Sequence, residues 1–206
     1  MRAGLRPRYA PGGMDLVFAI CQAIGIALAI GIGGPLAALF VAAMASLEAG
    51  FNPTGTDWAF VGAEWFLVVM LVANVATFLE RRRGLQLRGP HLVFAAATGA
   101  VFGAASLAEQ GEPALLGLVL GAIFGAGASL LAGDVLAGAL RRAGASEDAA
   151  APGTLTLAFG LAGVVVAAAA IFVSPVALLA LVALVALAAG RRRRAGEKYQ
   201  GLRVLR

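Results

Sequence analysis

From Leu16 to Leu47 no charged residue interrupts the chain, and the middle of that run reads Ile30-Gly31-Ile32-Gly33-Gly34-Pro35. An uncharged apolar run of this length marks a membrane helix, for which about 20 residues suffice. From Asp15 to Leu47 there are 33 residues, which as one helix would reach about 50 Å against a hydrocarbon core of about 30 Å. The excess demands a strong tilt, a break or an extension out of the bilayer. Pro35 has no backbone donor and the glycines lose more backbone entropy than other residues, so a break costs least between Gly31 and Pro35.

The same chemistry recurs. Apolar runs cover residues 58–79, 90–107, 113–140, 154–173 and 175–189. With 61% hydrophobic and 13% charged residues, the chain departs from soluble domains, which are about 25% charged. The sequence predicts an all-α polytopic membrane protein with six transmembrane helices. Trp58 and Trp65, near one end of the second span, fit an interfacial belt. The run 113–140 carries Gly125-Ala126-Gly127-Ala128-Ser129 at its own centre, so a second interruption is expected there.

Charge sets the expected topology. All sixteen Lys and Arg residues fall in the two tails and in the connections after the second and fourth spans, while the alternate connections carry Glu48, Asp57, Glu109 and Glu112. The positive-inside rule places both termini in the cytoplasm, in a bacterial inner membrane. The apolar run is too long for a signal peptide, although Ala43-Met44-Ala45 resembles a cleavage site. Met14 is an alternative start to Met1.

An offset of 94 residues sets Gly31 on Gly125, Gly33 on Gly127 and the second span on the fifth. Three spans per half make such a repeat inverted. The expected organisation is a basic tail (1–14), a first three-helix repeat (15–107), a second, inverted repeat (108–190) and a basic tail (191–206), with helices 1 and 4 both interrupted. Inverted repeats with broken helices are typical of transporters, whose sites lie near the bilayer midplane.

Functional candidates follow from the cost of polar groups in lipid. Gly33, Gly34, Pro35, Gly127 and Ser129 would bare backbone groups at the breaks, and Asp134 would supply charge. Asp134 reads equally well as an interfacial carboxylate paired with a nearby arginine. Glu64 lies nearly two turns into the second span, and Asn74 is deeper on a neighbouring face. Gln22 is a weaker candidate. His91, the one histidine, reads as an interface residue, and Cys21 as a small apolar one. No second His, Cys pair or paired acidic motif makes a metal site, and the Gly-rich stretch lacks the Lys-Ser/Thr of a phosphate loop. No cofactor and no enzymatic activity are expected.

The net charge of +5 resides in short clusters beside spans, without the aromatic interleaving of a nucleic-acid surface. Arg191 to Arg194 can hold anionic lipid headgroups, at about 1 kcal/mol per basic residue. The expected function is a transporter or channel for a small ion or solute. The alternative is a scaffold that binds lipid or a partner through its tails. Either is compatible with a homo-oligomer.

The ending Tyr199-Gln200-Gly201-Leu202-Arg203-Val204-Leu205-Arg206, the small-residue first span and the Gly-rich fourth span resemble an uncharacterised bacterial integral-membrane family known as a domain of unknown function. The likeness covers most of the chain loosely and implies no established activity. Members often carry a polar or basic residue before the first-span proline and an acidic pattern ending the second span. Here Gly34 precedes Pro35, and Glu80 alone answers the acidic pattern.

Overall fold

The computed structural model describes residues 13–82, 88–144 and 151–173, with isolated positions of the last apolar run. The expected sixth span and both basic tails therefore fall largely outside the described residues. The described chain forms six α-helices and no strand: α1 (Gly13–Gly33), α2 (Pro35–Ser46), α3 (Glu64–Arg82), α4 (Arg88–Glu109), α5 (Ala114–Gly144) and α6 (Ala151–Phe172), with a 3-10 turn at Ala59–Gly62 before α3. Four helical stretches are long and apolar enough to cross a membrane: residues 16–33, 88–109, 114–139 and 154–172. The second expected span, α3, falls outside that group because Glu64, Glu80, Arg81 and Arg82 crowd its ends, although its exposed flank is apolar along Val68, Leu71, Val72 and Val75.

The break in the first run occurs where the sequence predicts, but it reverses the chain. Gly34 adopts φ 62°, ψ −143°, a conformation essentially closed to residues with a Cβ. Its N–H donates to Ile30 O at 2.8 Å, ending α1, and its carbonyl accepts from Ala38 N at 3.2 Å, starting α2. Pro35 sits in the first turn of α2, where its missing donor costs nothing. Two contacts establish the reversal. Gln110 Nε2 donates to Gln22 Oε1 at 2.6 Å, and Asn52 N–H donates to Glu109 Oε1 at 2.8 Å. Positions 22 and 46 of one straight helix would lie about 36 Å apart, yet the chain before and after the break reaches the same α4–α5 turn.

Helix directions follow. α1 descends from that turn, where Ala19 and Ala23 pack on Leu107, to Gly125 and Ser129 in the middle of α5. α2 climbs back beside α6, with Leu36 against Gly160 and Gly50 against Ile171 and Phe172. The face carrying residues 47–58 and 110–113 is acidic. On the opposite face Glu80 and His91 approach at 3.5 Å, and Arg88 and Asp134 at 3.4 Å.

This geometry corrects three expectations. Residues 15–47 are two helices instead of one span. α5 is continuous through Gly125–Ser129, so the second interruption does not occur: small residues there serve close packing without disturbing the hydrogen-bond ladder. And α1 begins on the acidic face, not on the face of the basic connections, because the reversal returns both ends of the hairpin to one side.

Packing is closest where side chains are absent. α4 and α5 cross through Gly99, Gly103, Gly117, Gly121 and Gly125, and a Cβ added at Gly99 would lie 2.5 Å from Gly121 O. Helices in lipid gain contact through such small residues. The apolar core around α1 and α2 closes with Phe51, Phe66 and Phe102, whose rings meet at 6.4 Å (Phe51–Phe102) and 5.7 Å (Phe66–Phe102). Trp58, Phe60 and Trp65 come together beside the start of α3, Phe60 stacked on Trp65 and tilted against Trp58. In a Cys21→Ser background, the pairs Gln22→Cys/Gln110→Cys and Asn52→Cys/Glu109→Cys should both cross-link in oxidised membranes. A straight first helix permits one pair at most.

Candidate functional site

The hairpin tip lies halfway down the bundle. Gly31 presses on α5, where a Cβ would lie 2.5 Å from Gly125 O and 2.5 Å from Ala128 Cβ. Gly33 presses on α6, with Gly163 Cα 2.8 Å from a would-be Cβ. Gly125 to Ser129 form the middle of α5, and Gly160 to Gly163 the middle of α6. The two Gly-rich stretches of the sequence therefore meet, through one broken helix and one intact one. Pro35 is buried, while Gly33, Gly34, Gly127 and Ser129 are partly exposed. Among the described residues nothing lies within 4 Å of the Cβ position of Gly34, so the tip borders open space there; Gly127 is equally uncrowded but shares the exposed flank of α5 with Ile123 and Leu130.

The chemistry at the tip is that of a peptide backbone. Gly34→Ile30 and Ala38→Gly34 are the backbone bonds around the reversal. Pro35 offers no N–H to Gly31 O, which leaves carbonyls of the last α1 turn without a following helical donor. The C-terminal end of α1 also brings a partial negative charge to the tip. Carbonyl oxygens at a helix end, packed on the α5 backbone at Ser129, can bind a cation or the donors of a neutral solute.

The charged candidates lie elsewhere. Asp134 is exposed near the basic face, where Arg88 Nη1 donates to its Oδ1 at 3.4 Å. It thus pairs with an arginine, Arg88 of α4. An exposed pair of this kind is worth about 0–1 kcal/mol. Glu64 opens α3 at the acidic face, and Asn74 is halfway along α3. α3 packs mainly on α2 and the 3-10 turn, so α2 separates both residues from α5. His91 faces Glu80 at the basic end, with Nε2–Oε2 at 3.5 Å. Cys21 is buried in α1.

Two groups escape the sequence reading. Gly160 and Gly163 line the α6 side of the tip, and only their Gly-x-x-Gly spacing announces them. A polar cluster at the α4–α5 turn joins Gln22, Asn52, Glu109 and Gln110, from three separate parts of the chain. No local pattern links those positions. Among the described residues, no group of three or more His, Cys, Asp and Glu side chains could hold a metal ion.

Four apolar helices of membrane-spanning length, packed through glycine, put the chain in the class of α-helical membrane proteins. Comparison with protein-family models, with curated proteins and with solved structures gives no match.

The glycine contacts make a direct prediction. Gly31→Val forces Cβ into the α5 backbone and should lower stability by about 1–3 kcal/mol or more, as overpacking does. Gly127→Ala meets no neighbour and should leave stability unchanged or raise it by up to about 1 kcal/mol through helix propensity. Equilibrium denaturation in micelles measures both.

Proposed function

We propose that the chain is a small integral-membrane transporter or channel, and that a small ion or solute binds at the tip of the α1–α2 hairpin. One observation carries the reading: a helix ends at mid-depth of the bundle, between α5 and α6, with open space beside Gly34. Non-helical backbone at membrane depth is tolerated where protein buries it or where it lines a water-filled cavity. Packing alone needs no reversal, since α4 and α5 cross closely as intact helices.

In this proposal Gly33, Gly34 and Pro35 shape the tip, and Ser129, with Gly125 and Ala128, forms the facing wall, while Gly127 lies on the outer flank of α5. Asp134, Glu64 and Asn74 take no direct part. The basic connections lie in the cytoplasm of a bacterial cell, which sets the first residue of α1 on the outer side. Five crossings, α3 to α6 and the last apolar run, belong to the proposal, because the α1–α2 hairpin enters and leaves on one face; the inverted arrangement belongs to it with a changed first member. α1 runs parallel to α5, whereas α2 runs opposite to α5 and α3 opposite to α6, so α2–α3–α4 is the half that an inversion relates to α5, α6 and the last apolar run. Kinship with the uncharacterised membrane family belongs to the same reading.

Cysteine accessibility tests it. With Cys21→Ser as background, Ser129→Cys should react with a membrane-impermeant thiosulfonate in intact vesicles. Leu130→Cys, on the exposed apolar flank of α5 (56% exposed), should stay protected by lipid. Equal protection of Ser129→Cys and Leu130→Cys rules out a water-accessible tip.

A further inference from the structure

We infer that the acidic end of α4, with the turn into α5, forms a binding site for a hard metal cation held by oxygen ligands. The inference rests on none of the tip geometry. Ser106 and Glu109 lie three residues apart and Gln110 four residues from Ser106, so all share one face of the last α4 turns. Gln22 on α1 and Asn52 in the 47–58 connection close over that face through the two hydrogen bonds already described. Glu112 is held in the turn by its N–H, which donates to Leu107 O at 2.9 Å.

Three oxygens in this cluster are buried without a hydrogen-bond partner among the described residues: Ser106 Oγ, Glu109 Oε2 and Glu112 Oε1. Ser106 is the telling case, at 0% exposure. Two turns earlier on α4, Thr98 meets the same problem and solves it by donating to Phe94 O at 2.6 Å. Ser106 could use Phe102 O in the same way and does not. Glu109 spends one oxygen on Asn52 N–H and keeps the other inward. A buried acceptor left unpaired costs about 1–3 kcal/mol, and more when charged.

No positive charge of the described chain is at hand. No Lys or Arg occurs between Arg8 and Arg81 or between Arg88 and Arg141, and Arg88 is at the opposite face. Two carboxylates, a hydroxyl and amide oxygens form an all-oxygen donor set, which suits sodium or calcium. The absence of His or Cys from the cluster, and of a third carboxylate, excludes the donor sets that zinc and other transition metals prefer.

The test uses full-length protein in detergent at mildly alkaline pH. Thermal unfolding is followed in sodium chloride and in calcium chloride, each against choline chloride of equal ionic strength. One cation should raise Tm by about 5–10 °C at a hundredfold excess over its Kd. Sodium acting alone assigns a monovalent site, and calcium acting alone a divalent one. Glu109→Gln and Glu112→Gln should each abolish the rise, and Ser106→Ala should weaken binding by about 10-fold. Asp57→Asn, an exposed carboxylate on the same face, should keep the full rise. The inference is overturned if neither cation exceeds choline, if the rise survives both glutamine variants, or if Asp57→Asn removes it equally.

Discussion

Backbone-to-backbone contact at glycine is the interaction on which the rest of this bundle depends. α1 touches α4, α5 and α6, and it fits among them because Gly31 admits the Gly125 carbonyl and Gly33 admits Gly163. In water the apolar surface would collapse without such fit. In lipid the hydrocarbon tails are as apolar as the side chains, so shape and close van der Waals approach must hold helices together. Each of these contacts leaves no room for a methyl group.

Reversal at Gly34 follows from the same economy of atoms. A kinked helix would have carried α2 to the basic face, where it would meet Arg88 and Asp134. Instead φ 62° at Gly34 sends it back along α6. The return has consequences at both levels of the bundle. At mid-depth it bares the end of a helix among small residues. At the acidic face it brings Asn52 onto Glu109, which shapes the polar cluster. A Schellman-type turn completes that face: Gly111 at φ 79° lets Glu112 N–H reach Leu107 O and Gly111 N–H reach Ala108 O.

Much of this was legible from the residues. Helix composition, the boundaries of the apolar runs and the break before Pro35 all follow from local chemistry, since charge, proline and glycine act within a turn or two. The interruption at Gly125–Ser129 was misread for a physical reason. Glycine lowers helix propensity by about 1 kcal/mol, and a run of small residues looks the same whether it ends a helix or packs one. Without a proline to remove a donor, α5 keeps its ladder. The difference between Gly-Gly-Pro and Gly-Ala-Gly-Ala-Ser decides between a turn and a flat surface.

The sequence by itself determined that this chain is helical and apolar, that it breaks between Gly31 and Pro35, and that its acidic and basic connections alternate. Those properties are set by hydrogen-bond satisfaction and charge, which operate residue by residue. The tertiary structure decided that the break is a hairpin, that Asp134 pairs with Arg88 across two helices, and that Gln22, Asn52 and Glu109 meet. Those outcomes depend on which glycines face each other, a question of helix direction and rotation that no window along the chain contains.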